Sequence, residues 1–144
     1  MLPKFALSLL LLVAVPVSAA ETTSEPAKLL GTWIALEAQR DGAPDQEALG
    51  HQLAFMASRF RIESKGKLLY AGAYTLDPAV QPARIDFRHD EGEAKGAVWE
   101  GIYRLEGDRL VICDDAFDPA RERPTKFTTS PGSGHVLITF ERSR

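Results

Sequence analysis

The sequence predicts an all-β protein, an eight-stranded antiparallel up-and-down barrel with at most one short helical turn. Apolar and charged residues alternate with a period of two in several segments, among them Arg59–Glu63 and Arg84–Arg88. Such alternation is typical of antiparallel strands with one buried and one solvated face. Turn-forming glycine, proline and aspartate residues separate these segments and leave little room for helices.

We expect eight strands, near residues 30–39, 53–57, 59–64, 67–76, 83–89, 97–105, 108–113 and 135–142, with a short extra one around Lys126–Thr128. The only helical candidate is a single turn that Asp45 would cap and Gly50 would end. The alternating residues expected on the buried face are Phe60, Ile62, Ile85 and Phe87.

The spacing of the turns favours a meander in which each strand pairs with the next through a short hairpin. Closing the sheet removes its exposed edge strands. Eight strands close into a barrel that is either filled by side chains or able to hold one small ligand. A β-sandwich has the same strand pattern, so the pattern alone does not separate the two architectures.

A weak repeat links two of the predicted strands. Residues 70–77 and 99–106 share the pattern aromatic-x-Gly-x-Tyr-x-Leu-acid. The aromatic residue, the glycine, the tyrosine and the leucine occupy alternate positions and therefore point to one face of a strand, which we expect to be the inner face. Glycine between inward aromatic rings either lies under a ring in a filled core or leaves a dent in the wall. The repeat makes Gly72 and Gly101 structural candidates, and the candidate ligand-binding residues are Tyr70, Tyr74, Trp99 and Tyr103.

The first twenty residues have the layout of a secretory signal peptide, with Lys4, the apolar run Phe5–Val17 and the small residues Ser18-Ala19-Ala20. The run is shorter than the roughly 20 residues that span a bilayer. We therefore expect a signal peptide over 1–20, a mature chain that begins at Glu21, a polar segment over 21–28 and one barrel domain over 29–144. The mature protein would be periplasmic or extracellular, with no membrane span.

Charge and cysteine content exclude several classes of function. The chain has 20 acidic and 17 basic residues, a net charge of −3, which argues against a nucleic acid partner. Cys113 is the only cysteine, so neither an internal disulfide nor a cysteine-based zinc site can form. Its apolar neighbours predict a buried, inert thiol, and a reactive thiol or a bridge between two chains is the alternative.

No catalytic motif is evident, and we expect no enzyme, no metal and no cofactor. The three histidines, at 51, 89 and 135, are isolated and lack metal-ligand spacing. The acidic segment Asp114–Asp118 could offer carboxylates to calcium, but it lacks the EF-hand pattern. We therefore expect it to form a solvated turn. Ser133 is close to His135 in sequence, yet nucleophilic catalysis also needs a third group to orient them.

Gly31-Thr32-Trp33 begins the first predicted strand, and Arg142 ends the last one. Together with eight strands, this combination resembles the lipocalin-like superfamily. The resemblance implies that Trp33 plugs one end of the barrel and that Arg142 packs across it. Gly31, Trp33 and Arg142 are therefore expected to be structural residues.

A closer similarity covers nearly all of the predicted mature chain. Its motifs include Gly72-x-Tyr74-x-Leu76-Asp77-Pro78, Gly101-Ile102-Tyr103-x-Leu105, Arg123-Pro124-Thr125 and Pro131–Gly134. They are similar to an uncharacterised family of small exported bacterial proteins, abundant in planctomycetes and described as lipocalin-like. The similarity implies a fold and export, and it implies no reaction or ligand.

Two functions follow from these expectations. The first is an exported binding module for a small hydrophobic ligand, with the four aromatic residues of the repeat around it. The alternative is a protein-interaction or structural module of the cell envelope, with a filled core and its function on loops such as 114–125. We expect a partly open mouth above a filled lower half, because Trp33 closes one end and the chain is short.

Overall fold

A computed structural model of the chain describes residue 3, residues 12–14 and residues 24–144. Most of the predicted signal peptide, its Ser18-Ala19-Ala20 motif and the expected mature terminus at Glu21 lie outside these residues. The described part contains one helix, α1 (Glu25–Leu29), and nine strands. The strands are β1 (Gly31–Arg40), β2 (Ala43–Pro44), β3 (Gln52–Phe55), β4 (Arg59–Ser64), β5 (Lys67–Asp77), β6 (Arg84–Gly92), β7 (Val98–Glu106), β8 (Arg109–Asp114) and β9 (Val136–Arg142).

Eight of the strands form a closed antiparallel barrel, and this confirms the predicted fold class. Strands β3 to β9 pair in sequence order, and β1 pairs with β3 on one edge and with β9 on the other. The β1–β9 pairing closes the sheet, so the sandwich alternative is excluded. The two-residue strand β2 pairs only with the end of β1, at Gln39 and Arg40.

The short helical piece lies elsewhere than the sequence predicts. Residues 46–50 form a turn, and the Asp45 carboxylate accepts a hydrogen bond from Arg40 Nε at 3.0 Å. The helix is α1, which covers the end of the polar N-terminal segment and the buried Leu29, and a proline in the first turn and a basic residue in the last turn favour it. Lys126–Thr128 is not a strand.

The alternating segments place their side chains as predicted. Phe60, Ile85 and Phe87 are buried, and Ile62 packs against the same core. Their charged neighbours lie on the outer face, where Arg59 donates two hydrogen bonds of 2.8 Å to the Asp90 carboxylate.

One end of the barrel is closed by α1 and Trp33. Trp33 is fully buried, and its Nε1 donates to the Leu29 carbonyl oxygen at 2.9 Å. The Arg142 guanidinium carbon lies 4.2 Å from the centre of the indole ring. Arg142 also donates to the carbonyl oxygens of Lys28 at 2.7 Å and Leu30 at 2.9 Å, which holds the helix against the barrel. The interior of the barrel is therefore covered at this end.

Gly31 gives β1 its entry angle into the barrel. Its φ of +114° is a backbone conformation that L side chains rarely adopt, and a Cβ built there would lie 3.6 Å from the Arg142 guanidinium. The glycine thus lets the chain pass directly from α1 into the strand that carries Trp33. No helix in the described residues is long and apolar enough to cross a membrane.

Candidate functional site

A cavity of about 190 Å³ lies in the half of the barrel opposite Trp33. Its apolar floor includes Leu53, Phe87, Ile112 and Phe140. Deeper in the barrel the interior is filled, and Phe55 contacts Tyr74 edge to face with ring centres 4.8 Å apart. The interior therefore combines a filled lower half with an open upper half, as the sequence leads us to expect.

Two of the four predicted ligand-binding residues line this cavity, and two do not. Tyr70 and Trp99 form part of its wall, with ring centres 4.8 Å apart. The Tyr74 hydroxyl donates to the Met56 carbonyl oxygen at 2.9 Å. The Tyr103 hydroxyl bonds the Glu25 carboxylate on α1 at 3.0 Å.

The direction of the strands explains this division. Both β5 and β7 run from the open end of the barrel towards α1, so the first aromatic of each repeat reaches the cavity. The second lies four residues further along the strand, a distance of about 13 Å at 3.3 Å per residue, and is therefore closer to α1. Tyr74 and Tyr103 therefore belong to the filled half and to the closed end.

The two glycines of the repeat are not spaces beneath aromatic rings, which corrects that expectation. A Cβ on Gly72 would collide with the backbone of Arg88 on the neighbouring strand, beside a break in the β5–β6 register. A Cβ on Gly101 would lie 2.7 Å from the Cys113 carbonyl oxygen. Both glycines are required because an adjacent strand approaches closely.

An ion pair stands at the rim of the cavity. Arg40 Nη2 lies 2.8 Å from Asp45 Oδ2, and the Asp45 side chain is almost fully buried. The Arg40 guanidinium carbon also lies 5.6 Å from the ring centre of Phe117. His51 is a further rim residue, and burial lowers the pKa of its imidazole. The charge of Arg40 is therefore matched by Asp45.

Asp114 is a polar residue of the cavity wall that the sequence did not identify as a candidate. Only 8% of its surface is exposed, and its Oδ1 accepts a hydrogen bond from the Ala116 amide at 3.0 Å. Within residues 24–144, Asp114 forms no salt bridge, and no hydrogen bond is made to Oδ2. Burial raises the pKa of this carboxyl to about 7, so near neutral pH it can donate or accept a hydrogen bond.

The prediction of a solvated acidic turn over Asp114–Asp118 is wrong for its first two residues. Asp115 is only 1% exposed, and its Oδ1 accepts a hydrogen bond from the Glu100 amide at 2.8 Å. A signal for Asp114 exists in the sequence, since Leu110, Ile112 and Asp114 occupy alternate positions of one strand. That alternation places the carboxyl on the same face as two apolar core residues.

His89 packs against aromatic residues beside the cavity. Its ring centre lies 4.0 Å from that of Trp99 and 5.2 Å from that of Phe60. Neither ring nitrogen has a hydrogen-bond partner among the described residues. Burial lowers the pKa of His89 to about 4, so the ring is neutral at physiological pH.

The serine and histidine that are close in sequence do not form a catalytic pair. Ser133 Oγ accepts hydrogen bonds from the Ser130 and His135 amides, each at 3.3 Å. The His135 ring lies elsewhere, with Nε2 2.9 Å from the Glu122 carbonyl oxygen. Among the residues that the structure covers, no group of three or more histidine, cysteine or acidic side chains could hold a metal ion.

No protein-family model, curated protein or solved structure matches the chain. The similarity to the exported lipocalin-like family therefore stays a prediction from the sequence motifs.

Proposed function

We propose that the protein is a small-barrel binding module that holds one small hydrophobic ligand in the upper half of its barrel. The observation that carries the proposal is the cavity of about 190 Å³, closed below by packed aromatic rings and walled by Tyr70 and Trp99. An apolar cavity of about 150 Å³ is sufficient to bind benzene. The expected ligand is therefore about one ring, or a short chain, in size.

Energetic cost also supports a binding role. A cavity forfeits packing contacts, and an ionised carboxylate without a partner is costly to bury. Asp114 and the cavity occur in the same half of the barrel, while the rest of the interior is packed. Features that weaken a fold are commonly retained because function needs them. A module with a filled core would need neither of them.

The role we propose is binding and not catalysis, because the polar groups of the cavity are not arranged as a nucleophile with a base. At the rim, the charges of Arg40 and Asp45 neutralise each other. Asp114 has no histidine, serine or cysteine among its hydrogen-bond partners within the described part of the chain.

Titration with benzyl alcohol, a neutral one-ring probe, tests the binding role. In ¹⁵N-labelled protein the Trp99 indole signal should shift on titration, whereas the Trp33 indole signal at the closed end should not. Ala48→Phe adds a phenyl ring at a residue that lines the cavity and should abolish the shift. Ala54→Phe adds the same ring on β3, between the buried Leu53 and Phe55 and outside the cavity, and should leave the shift intact. Equal shifts of both indoles, or unchanged binding by Ala48→Phe, would contradict the proposal.

Export is the second part of the proposed function. It is supported by the charged, apolar and small-residue layout of residues 1–20. N-terminal sequencing of protein recovered from the periplasm or the medium should give Glu21 as the first residue. Recovery of an intact Met1 or Leu2 terminus would show that the segment is not a cleaved signal peptide.

A further inference from the structure

The acidic side chains of the cavity outnumber the basic ones. Three charged side chains line it, Arg40, Asp45 and Asp114. Arg40 and Asp45 neutralise each other at 2.8 Å, which leaves Asp114. His51, which also lines the cavity at its rim, and His89, which packs against Trp99, have a pKa lowered by burial and supply little positive charge at neutral pH.

Among residues 24–144, the surroundings of Asp114 supply no counterion. The next residue, Asp115, is itself acidic and adds repulsion. The inward residues of β9, on the other side of Asp114, are Val136, Ile138 and Phe140, none of which carries a charge. A buried carboxylate is stable when it is paired or fully hydrogen-bonded. Asp114 has one backbone hydrogen bond, and its carboxyl group borders the cavity.

The remaining wall favours a cation as the partner. Tyr70, Phe87 and Trp99 stand around the same cavity, and the faces of aromatic rings attract ammonium groups. An anionic head would instead need a positive group, and Arg40 already pairs with Asp45. An anion would also approach Asp114, which would repel it.

We propose that the ligand is a small organic amine, whose ammonium group pairs with Asp114 and whose apolar body of about one ring fills the cavity. This inference rests on the proposed binding function and specifies its ligand class. The ammonium supplies the counterion that Asp114 lacks among the described residues. Tyr70 and Trp99 provide apolar surface for the body of the amine and cation–π attraction for its ammonium group.

Pairing with an ammonium also links binding to pH. Burial raises the pKa of Asp114 to about 7 in the empty site, and a neighbouring cation lowers it again. The amine therefore binds the ionised form best. With a pKa near 7, affinity for an amine should be about tenfold weaker at pH 6 than at pH 8.

Three probes of similar shape and different charge test the inference: benzylamine, benzyl alcohol and benzoate. At pH 8 the parent protein should bind benzylamine at least about tenfold more tightly than benzyl alcohol, and benzoate most weakly. Asp114→Asn keeps the shape of the side chain and should weaken benzylamine binding at least about tenfold. The same variant should change benzyl alcohol binding less than about twofold and remove the pH dependence. Asp115→Asn, a buried carboxylate outside the cavity, should preserve the order of the probes.

The outcomes separate this inference from the proposed function. If benzyl alcohol binds as tightly as benzylamine, the proposal that the ligand is an amine is wrong, but the binding function stands. If none of the three probes binds, both are wrong. If Asp114→Asn does not fold, the ranking of the probes by the parent protein and its dependence on pH still decide the question, because both are measured without any substitution.

Discussion

The Asp114 side chain packs against Gly101, which has no side chain of its own. The two residues face each other across the β7–β8 pair, and a Cβ built on Gly101 would come within 2.8 Å of the Asp114 Cβ. The absence of a side chain at position 101 therefore gives the Asp114 carboxyl its place beside the cavity. Gly101, a residue of the sequence repeat, therefore leaves room for Asp114 although it does not line the cavity itself.

Replacing Gly101 by alanine tests this relationship. The new methyl group would be forced against the Cys113 carbonyl oxygen and the Asp114 side chain. Such overpacking should lower the free energy of unfolding by about 1–3 kcal/mol, as measured by chemical denaturation. It should also weaken probe binding, because Asp114 has to move.

Gly107→Ala is the matched control for this substitution. A Cβ at Gly107 meets no atom within 4 Å, so any cost there comes from its φ of +59° and not from packing. The control should retain normal probe binding. A loss of less than about 0.5 kcal/mol for Gly101→Ala would mean that the β7–β8 pair opens easily and that Asp114 does not depend on the glycine.

The fold was predictable because the alternation of apolar and charged residues fixes which face of each strand is buried. Phe60 and Phe87 follow this rule, and their rings contact each other in the core with centres 4.8 Å apart. Closure of the barrel is a separate matter, because a β-sandwich has the same alternation and closure depends on the pairing of β1 with β9, two strands far apart in sequence. The burial pattern depends on local sequence alone, and that is why it could be predicted.

The site was less predictable because it depends on how strands and loops meet. The repeat marks four aromatic residues, but only strand direction decides that Tyr70 and Trp99 reach the cavity. The burial of Asp115 depends on the Glu100 amide of a neighbouring strand, fifteen residues away in sequence. A turn-like run of aspartates gives no local sign of such a contact.

Trp33→Ala should cost about 3–5 kcal/mol of the free energy of unfolding, as truncation of large core aromatics does. The indole is fully buried, and its Nε1 bonds α1 through the Leu29 carbonyl. Its loss should also release Arg142 and the helix from the closed end. Chemical denaturation measures the effect, with Trp33→Phe as the milder comparison. A loss of less than about 1 kcal/mol would show that Trp33 is not the plug of the barrel.

The Cys113 thiol should be inert in the folded protein. The residue is fully buried, its Sγ contacts the Thr128 carbonyl oxygen at 3.7 Å, and burial raises the pKa of the thiol to about 12. The thiolate is the reactive form, so a thiol reagent should modify the native protein at least about a hundred times more slowly than the unfolded protein. Equal rates with and without denaturant would contradict this expectation.

Asp114→Asn should make the protein more stable at pH 8 than the parent. Burial raises the pKa of Asp114 from 3.8 to about 7, so the stabilising contribution of its protonated form is complete below pH 3.8 and is lost as the pH rises through 7. At about 1.4 kcal/mol for each pH unit between these values, the loss is on the order of 4 kcal/mol. Asparagine cannot ionise, so the variant should not lose this stability as the pH rises.

Urea denaturation of the parent and the variant across pH 4 to 8 measures this difference. The two free energies of unfolding should be similar near pH 4 and should diverge steadily above it, in favour of Asp114→Asn. Asp118→Asn is the control, because that half-exposed side chain pairs with Arg121 at the surface, and it should follow the parent at every pH. Parallel curves for Asp114→Asn and the parent would mean that the carboxyl is well solvated. A solvated carboxyl would remove the energetic reason for a partner in the cavity, because Asp114 would then be stabilised by water.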